Sequence, residues 1–384
     1  MGYYESAISY YKQEKYDKAA KSFKKAIETN SYTYKSLAGL YESMGKLGDK
    51  EKQDEAFKLS EKIAQSQNRF DIFWKNYGDF YDESGSYQKA IEYYEKAIHV
   101  NRNYHTAYYR LAMVYYSLRN YDLAIEYCIM ALRLNPRDDY TYNALGIIYF
   151  EISEYEKSVE CYRKMIILNP KDEYPYNGLG NIYNQLGDYE NAIQYYNKSI
   201  EINPNFEYPY NGLGTIFYKH MKNSNKAIEY YKKAVKLNPN YEFPYLNLGN
   251  LFKEKEDYKS AINFYNKFIL LNDKNEECYF NLAEIYQKKK EFKEAIDCYK
   301  KVVKINPKNE EVYKNLGFIY NEMGKKEKSI QSFKKSISIN PDNPHLYNNL
   351  ADVYVNTDNY KEAITYYKKA IDIFATREKS LQPI

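Results

Sequence analysis

Chemistry needs scarce reactive side chains brought together, so these are read first. The chain of 384 residues holds four histidines, His99, His105, His220 and His345, and four cysteines, Cys128, Cys161, Cys278 and Cys298. Two histidines in an H-E-x-x-H frame would hold zinc, and cysteines two apart would bind a metal or exchange electrons. Neither spacing occurs, and the histidines fall at turn-proximal or surface positions. No G-x-S-x-G nucleophile turn or Walker-type phosphate loop is present, and Gly178-Leu179-Gly180 lacks the further glycine of a dinucleotide fingerprint. The acidic residues recur on helix faces that solvent would wet. The expectation is therefore no catalysis, no metal and no cofactor.

The same residues bound the setting. The cysteines lie within helical patterns and read as small buried apolar side chains of a reducing compartment. There is no signal peptide, and no apolar run nears the roughly 18 residues of a membrane span. A cytoplasmic protein is expected. Net charge is +4, the bases are mostly lysine, and the few arginines form no stripe, which argues against nucleic acid as a partner. The unusual count is 50 tyrosines, beside a general excess of Lys, Asn and Ile.

The elements that would position any site follow from a 34-residue period. Glu173-Tyr174-Pro175-Tyr176-Asn177-Gly178-Leu179-Gly180 returns as Glu207-Tyr208-Pro209-Tyr210-Asn211-Gly212-Leu213-Gly214, and again, altered, from Glu242. Asn-Pro pairs close most units, as at Asn169-Pro170, Asn203-Pro204 and Asn306-Pro307. Apolar residues recur at i, i+3, i+4 and i+7 in the first half of each unit and likewise in the second, which predicts two helices per unit. Proline cannot continue a helix and disfavours helical geometry in the residue before it, so the second helix stops there.

This pattern resembles the tetratricopeptide family. Its slots want an aromatic at unit position 4, Leu at 7, small residues at 8, 20 and 27, aromatics at 11 and 24, and Pro at 32. The unit from Glu173 fills them with Tyr176, Leu179, Gly180, Tyr183, Ala192, Tyr196, Ser199 and Pro204. Eleven units are placed: 1–30, 31–70, 71–104, 105–138, 139–172, 173–206, 207–241, 242–275, 276–309, 310–343 and 344–377, with a tail at 378–384. Extra residues are expected in turns, around Lys46–Gln53 and Met221–Asn225. Glycines such as Gly180, opposite Ala192, are expected to let the paired backbones approach. No unit can bury its apolar stripe alone, so stacking completes the core. The resemblance implies an all-α, right-handed superhelical α-solenoid of antiparallel helix pairs over 1–377, with first helices lining a concave groove.

Positions 2, 5, 9, 12 and 13 of the first helix lie off its packing stripe, and the resemblance places them in the groove. In units three to eleven these positions carry ten acidic and five basic residues. Units four to seven carry only Glu151 and Lys219 among twenty. The rest is neutral, including Tyr109, Tyr140, Asn143, Tyr174, Asn177, Asn181, Asn184, Tyr208, Asn211 and Tyr218, and Phe243 follows in unit eight. Tyrosine offers contact area at low entropic cost, and asparagine matches the donor and acceptor of a peptide bond. At position 6, Asn247, Asn281, Asn315 and Asn349 look like the asparagine ladder that grips peptide backbone in the repeat arm of O-linked N-acetylglucosamine transferases. The basic clamp of chaperone-binding members is not assembled, since Lys75 is followed by Asp79 and Lys314 by Phe318.

The expected function is a protein-interaction scaffold that binds an extended peptide or helix of another protein along this Tyr/Asn groove. The alternative is the substrate-recruiting arm of a larger enzyme such as an O-linked glycosyltransferase. Ile371, Ile373 and Phe374 of the last helix are expected to lack cover, which points to a longer protein or to self-association through the ends.

Overall fold

The computed structural model describes residues 2–29 and 33–381; within these the secondary structure is 22 α-helices. The part of the expected tail beyond Leu381 lies outside the described residues. The chain divides into two compact units, Met1–Pro204 and Asn205–Ile384.

The first unit begins with α1 (Tyr3–Lys12), α2 (Tyr16–Glu28), α3 (Thr33–Lys46) and α4 (Lys50–Gln67). Regular pairs follow: α5 (Phe70–Glu83) with α6 (Tyr87–Val100), and α7 (His105–Ser117) with α8 (Tyr121–Leu134). It ends with α9 (Asp139–Glu151), α10 (Tyr155–Leu168), α11 (Glu173–Gln185) and α12 (Tyr189–Ile202). The second unit holds α13 (Tyr208–Lys219), α14 (Ser224–Leu237), α15 (Phe243–Glu254), α16 (Tyr258–Leu271), α17 (Glu276–Lys288) and α18 (Phe292–Ile305). It closes with α19 (Glu310–Glu322), α20 (Lys326–Ile339), α21 (Pro344–Val355) and α22 (Tyr360–Leu381). Each odd helix from α5 on packs chiefly on the even helix that follows it. In the first unit α5, α7, α9 and α11 also touch in succession, and α13, α15 and α17 do so in the second. The odd helices thus form one layer within each unit.

The core explains the small residues. A Cβ added at Gly180 would lie 2.6 Å from the Tyr196 ring, and one at Gly249 2.6 Å from Tyr265. The expected close approach exists, but an aromatic from position 24 fills it, ring against glycine. Where position 20 is serine its side chain also joins the two helices: Ser158 Oγ donates to the Gly146 carbonyl at 2.6 Å, and Ser329 Oγ to that of Gly317 at 2.8 Å. These rings, Tyr94, Tyr196, Tyr231, Tyr265 and Tyr299, are fully buried. Part of the tyrosine complement is therefore core.

Where an Asn-Pro pair follows, the second helix ends two residues before the proline, as at Ile202, with Asn203 extended at φ −133° and ψ 96°. The asparagine does more than precede a proline. Asn203 Nδ2 donates to Glu173 Oε1 at 2.7 Å, Asn238 to Glu207 at 2.7 Å and Asn306 to Glu276 at 3.1 Å. The last turn of a repeat is thereby tied to its first residue.

One expectation about insertions needs correction. The turn between α3 and α4 spans only Leu47–Asp49, and the extra residues lengthen α4 to 18 residues. The segment Lys50–Glu55 lacks Gly and Pro, and Asp49 accepts the Lys52 N–H as N-cap, so helix continues where a loop was expected. The single extra residue near Met221 does sit in a turn, between Lys219 and Ser224.

At the end of the second unit Ile371 is 64% exposed and Phe374 also exposed, although Phe374 meets the His345 ring edge-on. Ile373 is half-buried. Cys128, Cys161 and Cys278 are buried free thiols and Cys298 half-buried. Burial raises the Cys128 thiol to about 12, far from a reactive thiolate. No helix among the described residues is long and apolar enough to cross a membrane, and none of their His, Cys, Asp and Glu side chains form a group suited to a metal.

Candidate interaction face

The odd-helix layer carries the residues singled out from the sequence. In the first unit Tyr140 on α9 is 71% exposed and Tyr174 on α11 51%. Tyr109 on α7, Asn143, Asn177 and Asn184 are half-buried, and Asn181 is exposed. The face is shaped from beneath. In four repeats the buried tyrosine of position 24 passes under its odd helix and its hydroxyl meets position 9. Tyr196 donates to Asn181 Oδ1 at 2.7 Å, and Tyr94 to Asp79 at 2.8 Å. In the second unit Tyr265 donates to Asn250 at 2.6 Å, and Tyr231 to Thr215 at 3.2 Å. A core residue thus orients a surface one, a coupling invisible in periodicity alone.

Two acceptors on this face are unused. Asn177 Oδ1 and Asn184 Oδ1 are closed off from solvent and have no hydrogen-bond partner. They lie seven residues apart, two turns, on one side of α11.

The second unit is more self-contained. Asn247 Nδ2 donates to Asn211 Oδ1 at 3.0 Å. Asn281 donates to Asn250 at 3.1 Å and accepts from Lys253 at 2.6 Å. Asn315 donates to the Tyr299 hydroxyl at 2.9 Å. Of the four ladder residues, Asn349 alone makes no side-chain hydrogen bond among the described residues. Phe206, Tyr208, Tyr241 and Phe243 form a continuous aromatic row, with successive ring centroids 5.1, 4.9 and 5.9 Å apart. Tyr208 and Phe243 are its exposed members. Burial and a hydrogen bond to Glu254 raise the Tyr218 hydroxyl. Tyr218, Lys219, Asn250, Lys253, Glu277 and Lys288 are among the residues lining an open cavity of about 670 Å³.

Nearer the N-terminus the layer is charged, and sequence reading did not foresee how tightly. Asp79, only 2% exposed, meets Lys75 at 2.7 Å, Lys35 at 3.5 Å and Arg110 at 3.6 Å. Burial pushes its carboxyl up, but the three cations outweigh this and hold it below the usual range. Asp82, one turn on, has no such partner, and burial raises it to about 6.

Tandem helix pairs with an odd-helix layer in each unit define a helical-repeat protein of the binding-scaffold type. Sequence profiles described as tetratricopeptide repeat match residues 2–30, 73–104, 105–138, 174–206, 209–241, 244–275, 276–309, 298–331 and 344–376. A profile described as TPR repeat matches 146–187 and 319–358. The chain belongs to the tetratricopeptide repeat family. No curated protein matches it. Among solved structures, the human IFIT1 dimer with m7Gppp-AAAA is similar over 97% of this chain and 90% of its own, with a TM-score of 0.53 and 16% identity, a likeness of fold alone. MamA is 28% identical over 44% of this chain and 97% of its own, TM-score 0.42. YrrB, described as a TPR protein with an unusual peptide-binding site, is 24% identical over 48% and 94%, TM-score 0.43.

Proposed function

We propose that this chain is a non-catalytic cytoplasmic scaffold that holds a segment of another protein, an extended peptide or a helix, along its odd-helix layer. The main contact is the stretch of α9 and α11 bearing Tyr140, Asn143, Tyr174, Asn177, Asn181 and Asn184. What supports the reading is the pair of exposed rings, Tyr140 and Tyr174, that open on this neutral stretch. The exposed rings of Tyr140 and Tyr174 flank these amides with area that a partner can cover.

Affinity capture with the wild-type chain beside a Tyr174→Ala, Asn177→Ala, Asn184→Ala variant tests this. Partners should be lost from the variant alone, and a segment of such a partner should bind the wild type in calorimetry at least tenfold more tightly. Identical capture, with the variant folded by circular dichroism, would end this assignment. Self-association through the exposed Ile371 and Phe374 is a separate proposal, which light scattering decides by whether mass rises with concentration.

A further inference from the structure

Between α9 and α11 lies a pocket of about 250 Å³ lined by Asp139, Tyr140, Asn143, Met165, Asp172 and Tyr174. Its two tyrosine rings are exposed, and its floor is the buried Met165. Both carboxylates are held in place by backbone: Asp139 Oδ1 accepts the Tyr140 N–H at 2.9 Å, and Asp172 Oδ1 the Tyr174 N–H at 3.0 Å. The lining contains no lysine or arginine. Burial raises the Asp172 carboxyl, and the nearby Glu173 and Asp139 add to this against the Tyr174 N–H, as expected of an acid short of a counter-charge.

One repeat earlier the neighbouring pocket includes a cation of the chain's own. The pocket of about 510 Å³ lined by His105, Thr106, Tyr109, Arg110, Asp138 and Tyr140 again pairs two tyrosines with an aspartate, but includes Arg110. That guanidinium sits 5.9 Å from the Tyr109 ring centroid. Arg110 occupies position 6 of its repeat; the same position is Ala144 in the next and Gly178 in the one after. By position, Tyr140 and Asp138 there correspond to Tyr174 and Asp172 here, and the cation does not recur.

We propose that the pocket between Tyr140 and Tyr174 takes a cationic side chain of the bound partner, with arginine preferred, its guanidinium against the tyrosine rings and its charge shared by Asp139 and Asp172. This deepens, and rests on, the reading of the face as a binding surface. It names a chemical requirement for the partner: a basic residue set beside a neutral stretch that serves Asn177 and Asn184. A planar guanidinium suits stacking on aromatic faces and fork-like pairing with carboxylates better than an ammonium does.

Met165 supplies a direct readout. The full chain, labelled with ¹³C at methionine methyls and with Met165 assigned through Met165→Leu, is titrated with N-acetyl-arginine methylamide and with its neutral citrulline counterpart. The arginine probe should move the Met165 signal saturably in the millimolar range, and the citrulline probe at least tenfold more weakly. In Asp139→Asn, Asp172→Asn the difference between the probes should vanish; asparagine keeps the N-cap of α11, so the fold is retained. Tyr140→Ala, Tyr174→Ala should weaken the arginine response. No shift with arginine, equal shifts with both probes, or full discrimination in the Asn variant would each overturn the pocket. Such a failure leaves the wider face standing if capture still depends on Asn177 and Asn184. Loss of that dependence with an intact Met165 response would overturn the face instead.

Discussion

The hydroxyl of Tyr196 lies 2.7 Å from Oδ1 of Asn181, so a side chain buried in the repeat core fixes what an exposed residue of the odd-helix layer can offer. With its oxygen accepting from beneath, Asn181 presents its amide nitrogen outward as a donor. Tyr196→Phe keeps the ring against Gly180 and removes only this tether, so chemical denaturation should show a loss of about 1 kcal/mol. Gly180→Ala should cost more, about 1–3 kcal/mol, because the new methyl meets the ring at 2.6 Å. Equal stability of the wild type and both variants would refute this account of the core.

The charged end of the face predicts an inverted pH response. Burial, partly countered by Arg110 and reinforced by Asp79 and Glu83, raises folded Asp82 to about 6, whereas an unfolded aspartate titrates near ~3.9. The folded state holds this proton more tightly, so the penalty from Asp82 is absent below about pH 4, grows as pH rises to about 6, and is complete above that. Asp82→Asn should therefore raise Tm at about pH 7 and leave it unchanged at about pH 4. Asp79 has the opposite sign: its stabilisation is present above the unfolded value and lost as pH falls through its lowered one. A gain from Asp82→Asn that is the same at both pH values would show that Asp82 is not the titrating group.

Several turns between paired helices use the left-handed backbone region. Gly187 does so at φ +79°, and Lys290 stands at the equivalent position of its repeat at φ +61°. A Cβ is strained there, so Lys290→Gly should stabilise the protein by about 0.5–1 kcal/mol despite the added freedom of the unfolded chain. Gly187→Ala should move Tm the other way. Thermal unfolding of the two variants decides it, and a lower Tm for Lys290→Gly contradicts the assignment.

The tie between repeat end and repeat start can be cut. Asn306→Ala removes the donor to Glu276 and the acceptor for the Lys308 N–H. A loss of about 1–3 kcal/mol is expected, with faster hydrogen exchange at the end of α18. Unaltered exchange there would show the tie to be idle.

The 34-residue phase made the helix pairs legible, because Leu179, Gly180, Tyr196 and Pro204 each answer to a requirement of packing or turn. Of the positions read as off the packing stripe, Tyr140 and Tyr174 are exposed, whereas Asp79 is buried. Spacing assigns a residue to a face but not to a partner. The hold of Tyr196 on Asn181 joins residues fifteen apart, and that of Asn203 on Glu173 residues thirty apart, across backbone that only folding brings together. For the same reason the asparagines Asn247 and Asn281 resemble a ladder for peptide backbone in sequence, whereas neighbouring helices engage them. The lengthened α4 was legible in principle, since nothing in Lys50–Glu55 breaks a helix.

Because Asn203, Asn238 and Asn306 each fasten to an acid opening their own repeat, a single 34-residue segment carries its own clasp. Gene rearrangements with breakpoints beside the Asn-Pro pairs would copy or delete whole modules without severing that bond. The length of polypeptide such a protein can grasp could thereby change in steps of one module, while the surviving pockets kept their chemistry.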